Sequence, residues 1–180
     1  DKKFYIYLPL TLAAPFISTG LMFHQIYIFT EKGWSLEMLG NGYILLGLFS
    51  IIGLMIGGPI IDKFNTRKTA ITVLIPLLLS IIILLFFDSV FFLIVYMCFY
   101  GFNMGISTPF IGSLWAELYG VESLGTAKAL LQAGSVFASA LSPLVFGYLI
   151  AELSAYLIHT FWFRNRYRNV YDKLTGLDKD

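Results

Sequence analysis

Residues 89–116 read SVFFLIVYMCFYGFNMGISTPFIGSLWA, a run without a single Asp, Glu, Lys or Arg. A helix rises ~1.5 Å per residue and the hydrocarbon core of a bilayer is ~30 Å thick, so this run is long enough to cross it. Four further uncharged runs, 4–30, 38–61, 69–87 and 129–151, have the same character. Of the 180 residues, 58% are hydrophobic and only 13% are charged. A soluble domain carries ~25% charged residues, so this chain lacks the surface that water would solvate. The composition implies an all-α, polytopic transmembrane helical bundle whose principal partner is the lipid bilayer.

Lys2 and Lys3 precede the first run, as in a secretory leader, but the run is too long for a leader's apolar core and more spans follow. The single cysteine, Cys98, lies inside a span, where it packs as a small apolar group.

Basic residues near span ends tend to stay cytoplasmic. Lys63, Arg67 and Lys68 join the second and third runs, and Arg164, Arg166 and Arg168 follow the last apolar stretch. The intervening turns carry little beyond Lys32 and Asp88. Both termini are therefore expected in the cytoplasm, which requires a sixth crossing after the span at 126–150. After Glu152 only 153–163 is available, and such a length falls short of the hydrocarbon core. Three readings stay open: a truncated sixth span over 152–163, two spans sharing 126–163 through a turn near Pro143, or an interfacial helix with His159 and Trp162 at headgroup depth. The organisation expected is a six-helix unit over 1–163, with clear spans at 4–29, 38–61, 69–87, 90–114 and 126–150. A polar cytoplasmic tail, helical or disordered, follows over 164–180.

Polar side chains fall on stripes when placed at ~100° per residue. Lys128, Gln132, Ser135, Ser139 and Ser142 share one face of the fifth span. Tyr96, Tyr100, Asn103 and Ser107 share a face of the fourth, while Thr11, Ser18 and Gln25 share one of the first. Facing lipid such stripes would be costly, so they are expected to face protein or a water-filled cavity. The third run is otherwise aliphatic and belongs at the periphery. Small residues four apart, Gly53 with Gly57, Gly101 with Gly105, and Gly134 with Ala138, let helix backbones approach closely.

At the end of the second run, Gly58-Pro59-Ile60-Ile61-Asp62-Lys63-Phe64-Asn65-Thr66-Arg67-Lys68 resembles the signature loop of the major facilitator superfamily. That loop has a glycine, three residues, Asp, a base, a turn glycine and a basic pair. Here Asn65 stands at the turn glycine, which keeps a left-handed turn feasible, and Thr66 replaces the first base of the pair. Residues 14–25 with Lys32-Gly33-Trp34-Ser35 look like the seventh span and following loop of bacterial members. Glu117-Leu118-Tyr119-Gly120 with Leu124-Gly125-Thr126-Ala127 looks like their loop between spans ten and eleven.

The resemblance covers residues 4–150 and implies the C-terminal six-span half of a bacterial inner-membrane transporter. It would move a small-molecule solute by alternating access against a missing N-terminal six-span half, without a cofactor. It places the first, second, fourth and fifth spans around the cavity, in agreement with three of the stripes. His24, Gln25, Asn103, Gln132 and Ser139 are the expected substrate-binding residues. Gly58, Asp62, Lys63 and Arg67 are the expected gating loop, in which Gly58 permits close helix contact and Asp62 pairs with a base or caps a helix. No Gly-x-Ser-x-Gly, His-Glu-x-x-His or Walker loop occurs, and no Cys or His cluster suits a metal, so no enzyme is expected. The basic cluster after residue 163 lies beside a membrane, where lipid headgroups explain it better than nucleic acid.

Overall fold

The computed structural model describes residues 2–64, 66–70 and 72–175, with side chains described for all of these except 2, 67, 68, 121 and 153–175. The described residues form helices joined by tight turns: α1 (Lys2–Glu31), α2 (Leu36–Phe64), the single turn α3 (Thr66–Thr69), a 3-10 turn (Thr72–Leu74), α4 (Ile75–Phe86) and α5 (Val90–Thr175). Gly120, with φ at 70°, breaks α5 into two arms, Val90–Gly120 and Glu122–Glu152. Together with α1 and α2 these arms give four helices long and apolar enough to cross a membrane.

Each reversal of the chain has a local cause. Gly33, with φ at 71°, ends α1 in a left-handed turn, so that the Gly33 amide bonds the Thr30 carbonyl at 3.0 Å and the Trp34 amide bonds Phe29 at 2.9 Å. The Trp34 ring packs edge-on against Phe29 at 5.0 Å, the hydrophobic contact that accompanies this type of helix end. Ser35 then caps α2, its Oγ accepting from the Met38 amide at 3.2 Å. Ser89 opens α5 in the same manner through the Phe91 amide at 3.4 Å.

The third run departs from its expected form. Instead of one helix over 69–87, the chain makes α3, a 3-10 turn and the twelve-residue α4. Pro76 sits in the first turn of α4, where its missing N–H costs nothing to the helix it opens but denies a donor to the carbonyls before it. One of those, Val73, is supplied from another element: the Asn103 Nδ2 donates to it at 2.8 Å. At the far end of the chain, helix continues through Pro143 and past Glu152 to Thr175, so no turn forms near Pro143. The tail expected over 164–180 is helical backbone as far as Thr175, and its side chains and residues 176–180 lie outside the described residues.

The helices pack as two parallel pairs. In the first, α2 lies on the first arm of α5 with Gly42 at Met97, Gly53 at Phe102 and Gly57 at Ile106. The crossing is backbone on backbone: a methyl added at Gly101 or Gly105 would land on the carbonyl oxygen of Leu46 or Ser50. In the second pair α1 lies beside the second arm, with Leu12 at Gly134 and Gly20 at Ser142 and Phe146. Gly134 has only ordinary contact there, so this pair is joined chiefly by side chains. Ser142 donates to the Phe16 carbonyl, and the His24 Nε2 bonds the Pro143 carbonyl at 3.1 Å.

Two apolar clusters fill the bundle, one at each end. Phe29, Trp34, Leu84 and Tyr96 are buried at the end carrying Lys32 and Asp88, while Ile61, Phe110, Trp115 and Leu131 are buried at the end carrying Lys63.

Candidate functional site

Gln25 lies in α1 and is 3% exposed. Its Oε1 accepts from the Tyr43 hydroxyl of α2 at 2.7 Å, while its Nε2 is buried with no partner. Tyr96 and Tyr100 of α5, both buried and stacked at 5.7 Å, stand near Tyr43, and Tyr100 donates to the Ser18 carbonyl of α1 at 3.3 Å. Three helices thus enclose an uncharged polar cluster: an amide, phenols and a backbone carbonyl. Tyr43 is 40% exposed, so one face of its ring closes the cluster and the other opens outward. An unpartnered buried N–H2 forfeits ~1–3 kcal/mol, which marks this position as one to which a further acceptor would bring stability.

The expected site residues do not converge. His24 turns away from Gln25 toward the second arm of α5, where the acceptance of its hydrogen bond by a carbonyl means that Nε2 carries the proton. Asn103 is 1% exposed and donates from its amide nitrogen to the Val73 carbonyl, so it positions the break before α4. Gln132 is exposed and Ser139 half-buried on the second arm. Along their stripe Lys128 is exposed and Ser142 fully buried, so the stripe passes from solvent into the bundle.

In the basic loop, Asp62 and Lys63 project from the end of α2, with the Lys63 ammonium 5.5 Å from the Phe64 ring. Nothing stands within 4 Å of a Cβ built at Gly58; the close approach assigned to it belongs to Gly57, packed on Pro109 and Ile106. Asn65 and the side chain of Arg67 lie outside the described residues.

Sequence reasoning missed Tyr43, which sits in a span with no recognised stripe. Its signal was available as the single phenol of a largely apolar helix, about two turns from its start. It missed as well a clasp across the end opposite the basic loop. There the Lys32 ammonium donates to Asp88 Oδ1 at 2.5 Å and to the Phe87 carbonyl at 3.1 Å, and the Trp34 indole donates to the Asp88 carbonyl at 2.7 Å.

Cavities open at both ends of the bundle among the described residues. One of about 440 Å³ lies at the end of the basic loop, between Phe4 and Tyr5 of α1 and Tyr119, Ser123 and Thr126 of α5. The other, about 460 Å³, lies at the opposite end between α1, α4 and the second arm of α5.

The model of one protein family, the Major Facilitator Superfamily, matches residues 6–163. No curated protein and no solved structure matches the chain. The matched residues reach into all four membrane-length helices and both parallel pairs, and the chain, an integral membrane protein, therefore belongs to the Major Facilitator Superfamily of membrane transporters.

Proposed function

We propose that the chain is the C-terminal six-span half of a bacterial secondary active transporter. It carries a small solute by alternating access against an N-terminal half of matching size, sits in the inner membrane with both termini cytoplasmic, and draws on a solute or ion gradient. The observation that carries this reading is the Gln25 cluster, where a buried amide with an unused donor lies at membrane depth under a half-exposed tyrosine. Polar groups within a membrane are costly and are retained where a pathway uses them. Exposed apolar stripes on α2 (Ile44, Leu48, Met55) and on the second arm of α5 (Phe137, Leu144, Tyr148) support a missing partner half along the two helices that bear them.

In this reading Gln25, Gln132 and Ser139 read the solute, Asn103 holds the α4 break in place, and His24 couples the α1/α5 pair to protonation. Gly58, Asp62, Lys63 and Arg67 form the cytoplasmic gating loop. Cavity hydration tests the core of it. In a Cys98→Ala background, Gln132→Cys and Ser139→Cys should react with a membrane-impermeant maleimide, and Ser142→Cys, bonded into α1, should not. If both of the former are sealed, the cavity is absent and a non-transporting assembly subunit, or a membrane enzyme, becomes the better account. For the histidine, transport by His24→Ala with unaltered rate and pH dependence removes the coupling role. Unchanged turnover of a normally inserted Asp62→Asn removes the gate.

A further inference from the structure

The cavity opposite the basic loop has two chemically distinct parts. Its body is apolar, formed chiefly by Leu21 of α1, Ile81 and Leu84 of α4 and Phe146 and Ile150 of α5. Its rim, at one end only, carries Glu31, Lys32 and Asp88. The slot exists because α1 and α4 each pack on α5 and leave a gap between them. Its edge is open sideways, with Leu85 65% exposed, and its ionic rim lies where α1 and α4 end.

A ligand that fits has an apolar tail along the helices and a polar head at the membrane surface, which is the form of a phospholipid. The rim also selects the head. The Lys32 ammonium is already engaged by Asp88 Oδ1 and the Phe87 carbonyl, and among the described residues no other cation lines the slot. Two carboxylates against one ammonium leave the rim with a surplus negative charge, centred on the exposed Glu31. A cationic amine is therefore favoured there and an anionic head is repelled.

We propose that this slot is a specific site for an amine-bearing phospholipid, one acyl chain lying against Leu84 and Ile150 and the head amine held by Glu31. The site lies outside the Gln25 cluster, and its test needs no transported solute. The full chain, extracted in detergent and stripped of lipid, is titrated with phosphatidylethanolamine or phosphatidylglycerol, following Tm and the mass of the intact complex. Phosphatidylethanolamine should raise Tm with concentration and add one lipid, whereas phosphatidylglycerol should do neither. Glu31→Gln, a surface change, should weaken the ethanolamine lipid about tenfold. Ile81→Trp, which fills the slot, should abolish its effect.

Equal response to both lipids, or an ethanolamine response that survives both substitutions, overturns the proposal. So does a disulfide between Leu85→Cys and Leu157→Cys, since protein rather than lipid would then cover the slot. Should Ile81→Trp fail to fold, the Glu31→Gln titration decides alone.

Discussion

At the scale of single residues, helical glycines differ sharply in what they do. Gly101 and Gly105 meet the backbone of α2, which cannot yield as a flexible side chain can, while Gly58 meets nothing. Gly101→Ala should therefore lower stability by about 1–3 kcal/mol through overpacking, whereas Gly58→Ala should leave it unchanged. Thermal unfolding of the two variants in one detergent makes the comparison, and equal Tm values would refute the backbone contact. Asn103 offers a second case. Asn103→Leu leaves the Val73 carbonyl buried without a donor, at a cost of about 1–3 kcal/mol. Faster hydrogen exchange confined to residues 72–77 would show that the loss is felt at the break, and exchange unchanged there would count against it.

At the scale of elements, the turns decide which helices lie together. The α1 end, capped by Gly33 and the Phe29–Trp34 contact, delivers Lys32 and Trp34 to the α4–α5 turn. The exposed side of the ion pair limits its worth: Asp88 is 76% exposed, so Lys32–Asp88 contributes only ~0.2–1 kcal/mol and weakens with salt. The Trp34 indole bond is part-buried and insensitive to salt. Asp88→Asn should accordingly cost little and only at low ionic strength, whereas Trp34→Leu should cost more at every salt concentration. Thermal unfolding at low and high salt separates the two, and an Asp88→Asn loss that persists in high salt would contradict this ranking.

At the scale of the whole molecule, α2 and the second arm of α5 bury little of their apolar surface, as expected of helices that lipid or another protein must cover. The chain should resist extraction by alkaline carbonate and enter solution only with detergent. Recovery in the carbonate supernatant would defeat the membrane assignment. Because α1 joins its partner helix by side-chain bonds and α2 joins its own by backbone contact, the α1/α5 pair should be the first to open on heating. Hydrogen exchange at residues 126–147, compared with 97–109, checks that order.

The uncharged runs, read from sequence alone, determined that the chain lives in lipid and that its helices cross it, because hydrocarbon admits few charges and demands internally bonded backbone. The Asp62–Lys63 loop likewise carried the family. Periodicity also located Gly53, Gly57, Gly101 and Gly105, since a spacing of four places residues on one helix face. What periodicity lacks is depth and neighbour. It put Asn103, Gln132 and Ser139 on polar faces, yet only the packed bundle sent Asn103 to a carbonyl orphaned by Pro76 and left Gln132 in the open. The tertiary structure alone paired Gln25 with Tyr43, because the partners lie on helices whose mutual rotation is set by the glycine crossing and the Gly33 turn, and no local pattern encodes that angle.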